Sequence, residues 1–199
     1  QIFDWLNTNG WLVLSGGADA LSEIRAQALS RVDAEGAVAY ISFAGDLGDS
    51  LMDDMADLGA PTGYLVDLED SDNNAIYEQI RSASIIVIEP GQSIDKLKRL
   101  ISQTVLHAMK EALDRGTLIL LEGLAASLAG DLIVGDTGNI MNGLKWVNNA
   151  HVMTGVSNVL ESASASKIYD YEPETIFIGI QLGSALVLGP HGYMETWGE

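Results

Sequence analysis

Apolar residues in this chain occur as short continuous runs that alternate with segments of helical spacing. The runs are typical of strands buried on both faces of a parallel sheet, and they lie at 11–14, 37–43, 63–66, 84–88 and 117–121. The intervening segments predict helices, and they lie at 18–32, 51–58, 75–82 and 93–115. The last of these is predicted as one helix of about five turns.

The remainder of the chain follows a less regular pattern. Residues 1–9, with Phe3, Trp5 and Leu6, are predicted to cap the edge of the sheet. After the fifth run we predict, in order, a loop at 135–143, a strand within 144–153, a short helix at 157–164, and antiparallel strands at 175–180, 185–188 and 192–197. Turns at Gly183 and at 190–192 are predicted to join these last strands.

The alternation of strand and helix predicts one α/β domain over residues 1–199. Its expected architecture is a flavodoxin-like three-layer sandwich with a doubly wound, mostly parallel sheet. An antiparallel C-terminal strand pair is expected to close one edge. In such sheets the ligand site lies at the carboxyl ends of the strands. The turns expected there are 16–17, 44–45, 90–92 and 123–127.

Composition narrows the classes of function. The chain has 28 acidic and 10 basic residues and a formal net charge of -18. Such a surface repels nucleic acid and anionic lipid, so we expect neither as a partner. The absence of Cys excludes disulfides, a thiolate nucleophile and Cys-ligated zinc. No apolar run reaches the ~18 residues of a membrane helix, and no signal peptide is visible, so we predict a cytoplasmic protein.

The central stretch 115–134 contains a candidate nucleophile elbow. A buried strand at 117–121 leads into 122–130, where Gly, Ala and Ser dominate. Small residues at this density permit a sharp strand-to-helix turn that packs closely on the sheet. Turns of this kind present a catalytic Ser or Cys at their apex in several hydrolase folds. The residue at the apex therefore decides the chemistry.

Short landmarks distributed over nearly the whole chain carry a family resemblance. In sequence order they are 16–18, 39–42, 90–92, Leu97, Thr104, 123–126, 143–144, His151, 178–180 and 184–186. Their order resembles the peptidase E and cyanophycinase-like family of serine hydrolases. That resemblance implies a class I glutamine amidotransferase-like fold.

The resemblance also implies a catalytic serine that this chain lacks. The family carries Gly-Thr-Ser-Ala-Gly-Ala at its elbow, and residues 123–128 align with that motif without gaps. The nucleophile position then falls on Ala125, whose methyl group cannot attack a carbonyl carbon. We therefore expect a degenerate site at this turn.

Two further positions depart from the family pattern. The family's Gly-Gly-Asn-Gln turn supplies a backbone N–H to the oxyanion, but residues 89–92 read Glu-Pro-Gly-Gln. Pro90 has no N–H, and Glu89 places a negative charge where an oxyanion would form. The family's acidic residue near the C-terminus is matched by Gln181 or Leu182, and neither is anionic.

His151 matches the catalytic histidine of the family's Asp-Gln-His-Phe motif. Without a nucleophile and an orienting carboxylate it does not make a triad, and an ordinary hydrogen-bonded histidine at a strand end is the simpler interpretation. We therefore predict a non-catalytic homologue that acts as a binding or oligomeric module. Its crevice, between Gly91, Ala125 and His151, is expected to hold a peptide or amino-acid ligand. No cofactor or metal is expected, and edge strands permit a homodimer.

The crevice has further expected contacts beyond those three residues. From the same turns of the chain, the predicted binding residues also include Gln92, Gly123 and Ala126. A small-molecule sensor is a third class of function that fits a crevice of this kind.

An active hydrolase is the alternative. A two-residue shift of register puts Ser127 at the apex, where it pairs with His151 on a peptide or small amide bond. Glu122, Asp131 or Glu161 would then orient the histidine. The shift leaves only Ala where Gly normally relieves crowding. Ser127 as a helix-capping residue is the competing interpretation.

Two weaker patterns were weighed for ligands. Residues 15–19, Ser-Gly-Gly-Ala-Asp, follow a strand and precede a helix, as a phosphate site does, but lack the full dinucleotide motif and a P-loop lysine. A cluster of acidic residues could bind a hard cation such as calcium, but it lacks the ligand spacing of an EF-hand. Its members are Asp46, Asp49, Asp53, Asp54 and Asp57. A solvated helix face is the favoured interpretation of these carboxylates.

Overall fold

A computed structural model describes residues 2–17, 21–43 and 47–198 of the chain. Its centre is a seven-stranded sheet. In spatial order the strands are β11 (Met194–Gly198), β10 (Ser184–Leu188), β1 (Trp11–Ser15), β5 (Leu118–Glu122), β4 (Ile85–Ile88), β2 (Val38–Ile41) and β3 (Gly63–Leu65). The five strands β1, β5, β4, β2 and β3 run parallel to one another. Strand β10 pairs antiparallel with β1 on one side and with β11 on the other. The predicted doubly wound sheet with an antiparallel edge pair is confirmed.

Helices cover both faces of this sheet. They are α1 (Leu21–Arg31), α2 (Leu47–Asp57), α3 (Asn73–Arg81), α4 (Ile94–Leu100) and α5 (Gln103–Asp114). A sixth helix, α6 (Ala163–Tyr171), packs outside this sheet on the strands Leu132–Val134 and Ala150–Thr154. One apolar core joins α1 and α2 to the sheet. A second core joins α3, α4, α5 and the small residues after β5 to its other face. The three layers follow from these two cores.

The alternation of side chains explains why the central strands are apolar throughout. In β5, Leu118 and Leu120 belong to the core under α1 and α2, whereas Ile119 and Leu121 belong to the opposite core. Both faces are covered, so the four positions before the last residue of β5 are all apolar. The same alternation carries Glu122, the last residue of β5, to the α1–α2 side.

The single helix predicted for 93–115 is wrong, because the chain breaks between α4 and α5. Ile101 leaves the helical region with φ -78° and ψ 79°. Ser102 then caps α5, its side chain accepting a hydrogen bond from Val105 N. A serine that satisfies a free N–H of the following turn competes with helix continuation, so the apolar spacing persists while the helix does not.

The last third of the chain pairs differently from the prediction. Strand β9 (Ile176–Ile180) pairs parallel with β8 (Ala150–Thr154) in a separate two-stranded sheet, not with β10. Both edges of β10 are already occupied by β1 and β11. The turn at Gly183 therefore links two sheets and does not close a hairpin.

Two further elements differ from the prediction. One is a strand within a predicted loop, and the other is a helix that begins later in the chain than predicted. The predicted loop at 135–143 contains β7 (Ile140–Asn142), which pairs antiparallel with β6 (Leu132–Val134). The short helix predicted at 157–164 is a 3₁₀ turn, Val159–Glu161, and the α-helix is α6. Ser162 caps α6 by accepting from Ala165 N, which sets its start.

The N-terminal leader, predicted to cap the edge of the sheet, packs against the core that includes α3, α4 and α5. Phe3, Trp5 and Leu6 contact the core on the α5 side. Trp5 forms a β-bridge with Val147 and donates its indole N–H to Gly189 O at 2.9 Å. Within the described ranges, no helix has both the length and the apolar character needed to cross a bilayer.

Candidate functional site

The carboxyl ends of β1, β4 and β5 meet at one point of the sheet edge. Gly17 follows β1, Pro90 follows β4 and Gly123 follows β5. A Cβ atom on Gly123 would lie 3.2 Å from Pro90 Cβ and 3.3 Å from Pro90 Cγ, and a Cβ atom on Gly17 would lie 3.1 Å from Gly123 Cα. Backbone and the proline ring therefore fill the place where an elbow side chain would stand.

The sharp bend after β5 lies at Gly123 and not at Ala125. Gly123 has φ +56°, a conformation that L side chains rarely adopt. Ala125 lies further along the 3₁₀ helix Gly123–Ala129 and is fully buried in the core. Neither residue has a hydroxyl. The turn is real, but the ungapped comparison with the family motif put its apex at the wrong residue.

Ser127 does not occupy the bend either. It lies in the same 3₁₀ helix and is 7% exposed. Its Oγ donates to Leu124 O at 2.6 Å. The hydroxyl proton is thus committed to a backbone carbonyl, whereas the capping interpretation expected the hydroxyl oxygen to accept from a free N–H.

His151 lies in β8 and is 3% exposed. Its Nδ1 lies 2.9 Å from Leu132 O and its Nε2 lies 3.0 Å from Ser164 Oγ. A carbonyl oxygen only accepts, so Nδ1 carries a proton and, in the neutral ring, Nε2 accepts from Ser164. Burial lowers the pKa of His151, and the bond to Leu132 only partly opposes that effect. The ring is therefore held neutral, with Ser164 and not Ser127 as its hydroxyl partner.

The carboxylates expected to orient His151 have other partners in the structure. Glu122 pairs with Arg25. Asp131 accepts from the backbone N–H of Asn149, and Glu161 accepts from the side-chain amide of Asn158. The backbone carbonyl of Leu132, and not a carboxylate, therefore orients the His151 ring.

A buried ion pair lies directly beside the bend. Glu122 is fully buried, and Arg25 donates to it twice, Nε to Oε2 and Nη2 to Oε1, both at 2.8 Å. Arg25 Nη1 also donates to Asp54 at 2.7 Å, and Ser22 donates to the other oxygen of Asp54 at 2.8 Å. Sequence reasoning missed Arg25, although a charged residue on the inner face of α1 next to Ile24 is the signal that would have found it.

The charges of this cluster shape one another's pKa. Burial raises the pKa of Glu122, and the hydrogen bonds and charge of Arg25 oppose that rise. Burial alone would lower the pKa of Arg25, but its bonds to Glu122 and Asp54 outweigh burial and raise it. The bidentate geometry at 2.8 Å is that of an ionised pair.

A second buried carboxylate faces a cavity at this edge. Glu89 is 7% exposed, and its Oε2 accepts from Ser42 Oγ at 2.6 Å. A cavity of about 270 Å³ lies against Glu89, Arg25, Gly91 and Gln92. The structure thus brings the predicted binding residues Gly91 and Gln92 to one cavity, together with two charged groups that the prediction did not include.

Other predicted binding residues do not line this cavity. Ala126 is fully buried in the core, and Gly123 is closed off by Pro90. A different cavity, of about 170 Å³, holds His151, Ser127 and Ser164. In the described part of the chain, Gly91 and Gln92 therefore share no cavity with His151, and they also line a further cavity of about 320 Å³ beside Phe43 and Leu97.

The glycines of the candidate phosphate site have a packing role. A Cβ atom on Gly16 would lie 1.8 Å from Gln181 O. Gly17 N donates to Ser15 Oγ at 3.2 Å. Ala18 and Asp19, the rest of that pattern, lie outside the described residues, as does the turn at 44–45. Close backbone approach accounts for Gly16 and Gly17.

The acidic group offers no cation site in the part of the chain that the structure describes. Asp46 lies outside it. Asp54 is paired with Arg25. Among the described residues, no group of three or more His, Asp or Glu side chains is arranged to hold a metal ion.

Solved peptidase structures share this architecture. A peptidase from an acI-B1 Actinobacterium matches 97% of this chain and 89% of its own, with a TM-score of 0.78 and 18% identity. A candidate Peptidase E protein from Listeria monocytogenes EGD-e matches 96% of this chain and 98% of its own, with a TM-score of 0.71 and 14% identity. No family model and no curated protein matches the sequence.

The likeness defines a class of fold. At these identities it bears on architecture alone, which is a peptidase-like α/β fold. More particularly, the chain has a peptidase E-like fold.

Proposed function

We propose that this chain is a non-catalytic homologue of the cyanophycinase-like serine peptidases that binds a peptide or amino-acid ligand. The observation that carries the proposal is the bend after β5, where Gly123 has no side chain and a Cβ placed on it would lie 3.2 Å from Pro90 Cβ. A hydrolase of this type needs a nucleophile with room for a substrate carbonyl at that point.

The oxyanion side of the same point also favours this reading. Pro90 has no N–H to donate. Glu89 is buried next to it, so a developing negative charge would meet a carboxylate. Pro90 therefore cannot stabilise the oxyanion that peptide hydrolysis creates, and Glu89 would repel it.

The cavity beside Glu89 is the proposed ligand site. Its volume of about 270 Å³ suits an amino acid or the end of a peptide chain. Glu89 uses one carboxylate oxygen for Ser42, which leaves the other for an ammonium group. Arg25 lines the same cavity and has five N–H donors, of which the bonds to Glu122 and Asp54 use a part. An ammonium on Glu89 and a carboxylate on Arg25 match the two ends of a free amino acid.

Calorimetry tests this site with defined probes. Free amino acids, their amides and their N-acetyl derivatives are titrated into the wild-type chain and into Glu89→Gln. We expect free amino acids and amides to bind, N-acetyl derivatives to bind at least tenfold more weakly, and Glu89→Gln to lose that preference. Glu69→Gln, in an exposed loop, is the matched control. Absence of binding by every probe, or unchanged binding by Glu89→Gln, would overturn the site.

An active hydrolase using Ser127 and His151 is the second candidate, since both side chains line one cavity. Ser127 would have to give up its bond to Leu124 O and displace Ser164 from His151. Peptidase assays on aminoacyl and peptidyl p-nitroanilides test it. Turnover that Ser127→Ala abolishes would replace the binding proposal.

The oligomeric role remains a proposal with its own measurement. The edge strands β3 and β11 offer unpaired ladder groups to a second copy. Light scattering on the purified chain is expected to give twice the mass of 21.2 kDa. A monomer at all concentrations would exclude the homodimer.

A further inference from the structure

We infer that Ser164 is a nucleophile activated by His151 and that the pair accepts acyl groups from small esters, at a site separate from the bend after β5. The geometry that carries this is the 3.0 Å contact between Ser164 Oγ and His151 Nε2 at the wall of a cavity. The inference goes beyond the proposed ligand-binding role, which concerns the cavity at Glu89, and it confines the loss of catalysis in that proposal to the bend after β5.

The histidine is set up as a base. Nδ1 donates to Leu132 O at 2.9 Å, which fixes the ring orientation and leaves Nε2 free to accept a proton. The carbonyl takes the place that a carboxylate holds in a Ser-His-Asp triad. Burial keeps the imidazole neutral, so the base is present in its reactive form.

A directed chain of hydrogen bonds leads into Ser164. Ala165 N donates to Ser162 Oγ at 3.4 Å, and the oxygens of Ser162 and Ser164 are 3.0 Å apart. Because Ser164 donates to His151, Ser162 donates to Ser164. Each donor then has one acceptor, and the hydroxyl of Ser164 points to the ring nitrogen.

The first turn of α6 leaves backbone N–H groups without an intrahelical acceptor. Ser164 lies in the first turn of α6, whose first intrahelical bond runs from Ser166 N to Ser162 O at 3.2 Å. The N–H groups of Ala163 and Ser164 precede that bond and have no intrahelical acceptor. The positive end of the helix dipole adds to their effect on a developing negative charge.

The cavity limits the substrate to small acyl groups. Its volume is about 170 Å³, below the ~300–1,000 Å³ of pockets that take drug-sized ligands. Besides the polar pair, its walls include Leu124, Ile133 and Val156. Short-chain esters such as acetyl and butyryl esters match this size and apolar lining.

The chemical step is an ordinary acyl transfer. Ser164 Oγ attacks the ester carbonyl carbon while its proton passes to His151 Nε2, and the tetrahedral intermediate places its oxyanion at the N–H groups of α6. The C–O bond to the leaving alcohol breaks as His151 returns the proton to that oxygen. Water, deprotonated by His151, then releases the acid and restores the Ser164 hydroxyl.

Adduct mapping with a small fluorophosphonate is the decisive experiment, together with the rate of p-nitrophenyl acetate hydrolysis. Wild type is expected to carry the phosphonyl group on Ser164. Ser164→Ala is expected to lose the adduct and to lower the rate about 100-fold. Ser166→Ala, exposed on the same helix, is the matched control and is expected to leave both unchanged.

Three outcomes would overturn the inference. They are an adduct on Ser127, no adduct in a folded sample, and an unchanged rate in Ser164→Ala. Circular dichroism of each variant confirms folding. Amino-acid binding at Glu89 is measured on the same Ser164→Ala sample, so failure of this site and failure of the proposed ligand site are distinguished.

Discussion

Arg25 on α1 and Glu122 at the end of β5 form a bidentate ion pair inside the protein, with both N···O distances at 2.8 Å. The residues are 97 positions apart in the chain. The pair joins α1 to β5 next to the bend, and among the described residues Asp54 also forms an ion pair with Arg25.

Removing one partner of this pair is expected to destabilise the fold strongly. Arg25→Met leaves Glu122 buried without a counter-charge, so we expect the free energy of unfolding to fall by about 3–5 kcal/mol. Asp54→Asn, the control, leaves the bidentate pair intact and should cost about 1 kcal/mol or less, because Asp54 is partly exposed. Arg25→Met with Glu122→Met is expected to recover most of the loss. Urea denaturation measures all three, and a double variant no better than Arg25→Met would contradict the account.

Placing a serine at the bend is expected to cost stability without producing a peptidase. Gly123→Ser introduces a Cβ at φ +56°, within 3.2 Å of Pro90. We expect a loss of about 2–4 kcal/mol, from backbone strain and overpacking together. Gly59→Ser, at φ +91° with no atom within 4 Å of its Cβ, measures the loss of stability that comes from backbone strain alone. Thermal or urea denaturation compares them, and equal losses would show that Pro90 does not close the bend.

The buried histidine is expected to make stability depend on pH. The pKa of His151 in the fold is lower than its ordinary value of 6.5, so below pH 6.5 the unfolded chain binds a proton that the folded chain does not. Stability therefore falls as pH drops from about 6.5 toward the folded pKa, by at most about 1.4 kcal/mol per pH unit from this group. Urea denaturation of wild type and His151→Gln at pH 7.5, 6.5 and 5.5 measures the difference, which should narrow as the pH falls. A constant difference would contradict this assignment.

Gly16 is expected to tolerate no side chain. Gly16→Ala drives a Cβ to 1.8 Å from Gln181 O, and we expect a loss of about 3 kcal/mol or more, since backbone must move. Gly116→Ala, where the nearest atom is 3.9 Å away, bears only the cost of its φ of +98° and should lose less. Denaturation midpoints rank the two variants, and the reverse order would argue against close approach as the reason for Gly16.

Much of the fold could be predicted from the sequence because its signals are local. Strand β5 is recognisable from its apolar run, because a strand covered by helices on both faces needs apolar side chains on both faces. The break at Ser102 was missed because a capping serine interrupts a helix without changing the apolar spacing. The partner of β9 was missed because pairing depends on which edges other strands have taken.

The site was less predictable because its contacts join distant segments. The small residues after β5 indicated a turn, but the position of the bend depends on where Pro90 stands. His151 was recognised as the match to the family's catalytic histidine, with an ordinary hydrogen-bonded histidine as the simpler interpretation, yet its partner Ser164 lies on a helix that the sequence placed too early. The alternation of side chains along β5 predicts that Glu122 faces α1. Its pairing with Arg25 depends on how α1 packs on the sheet, which the sequence does not show.

The contact between Pro90 and Gly123 has an evolutionary consequence. A serine arriving at position 123 meets the proline ring, and a slimmer residue arriving at position 90 brings no hydroxyl with it. The order of substitutions therefore matters: a smaller residue at position 90 has to precede a serine at position 123.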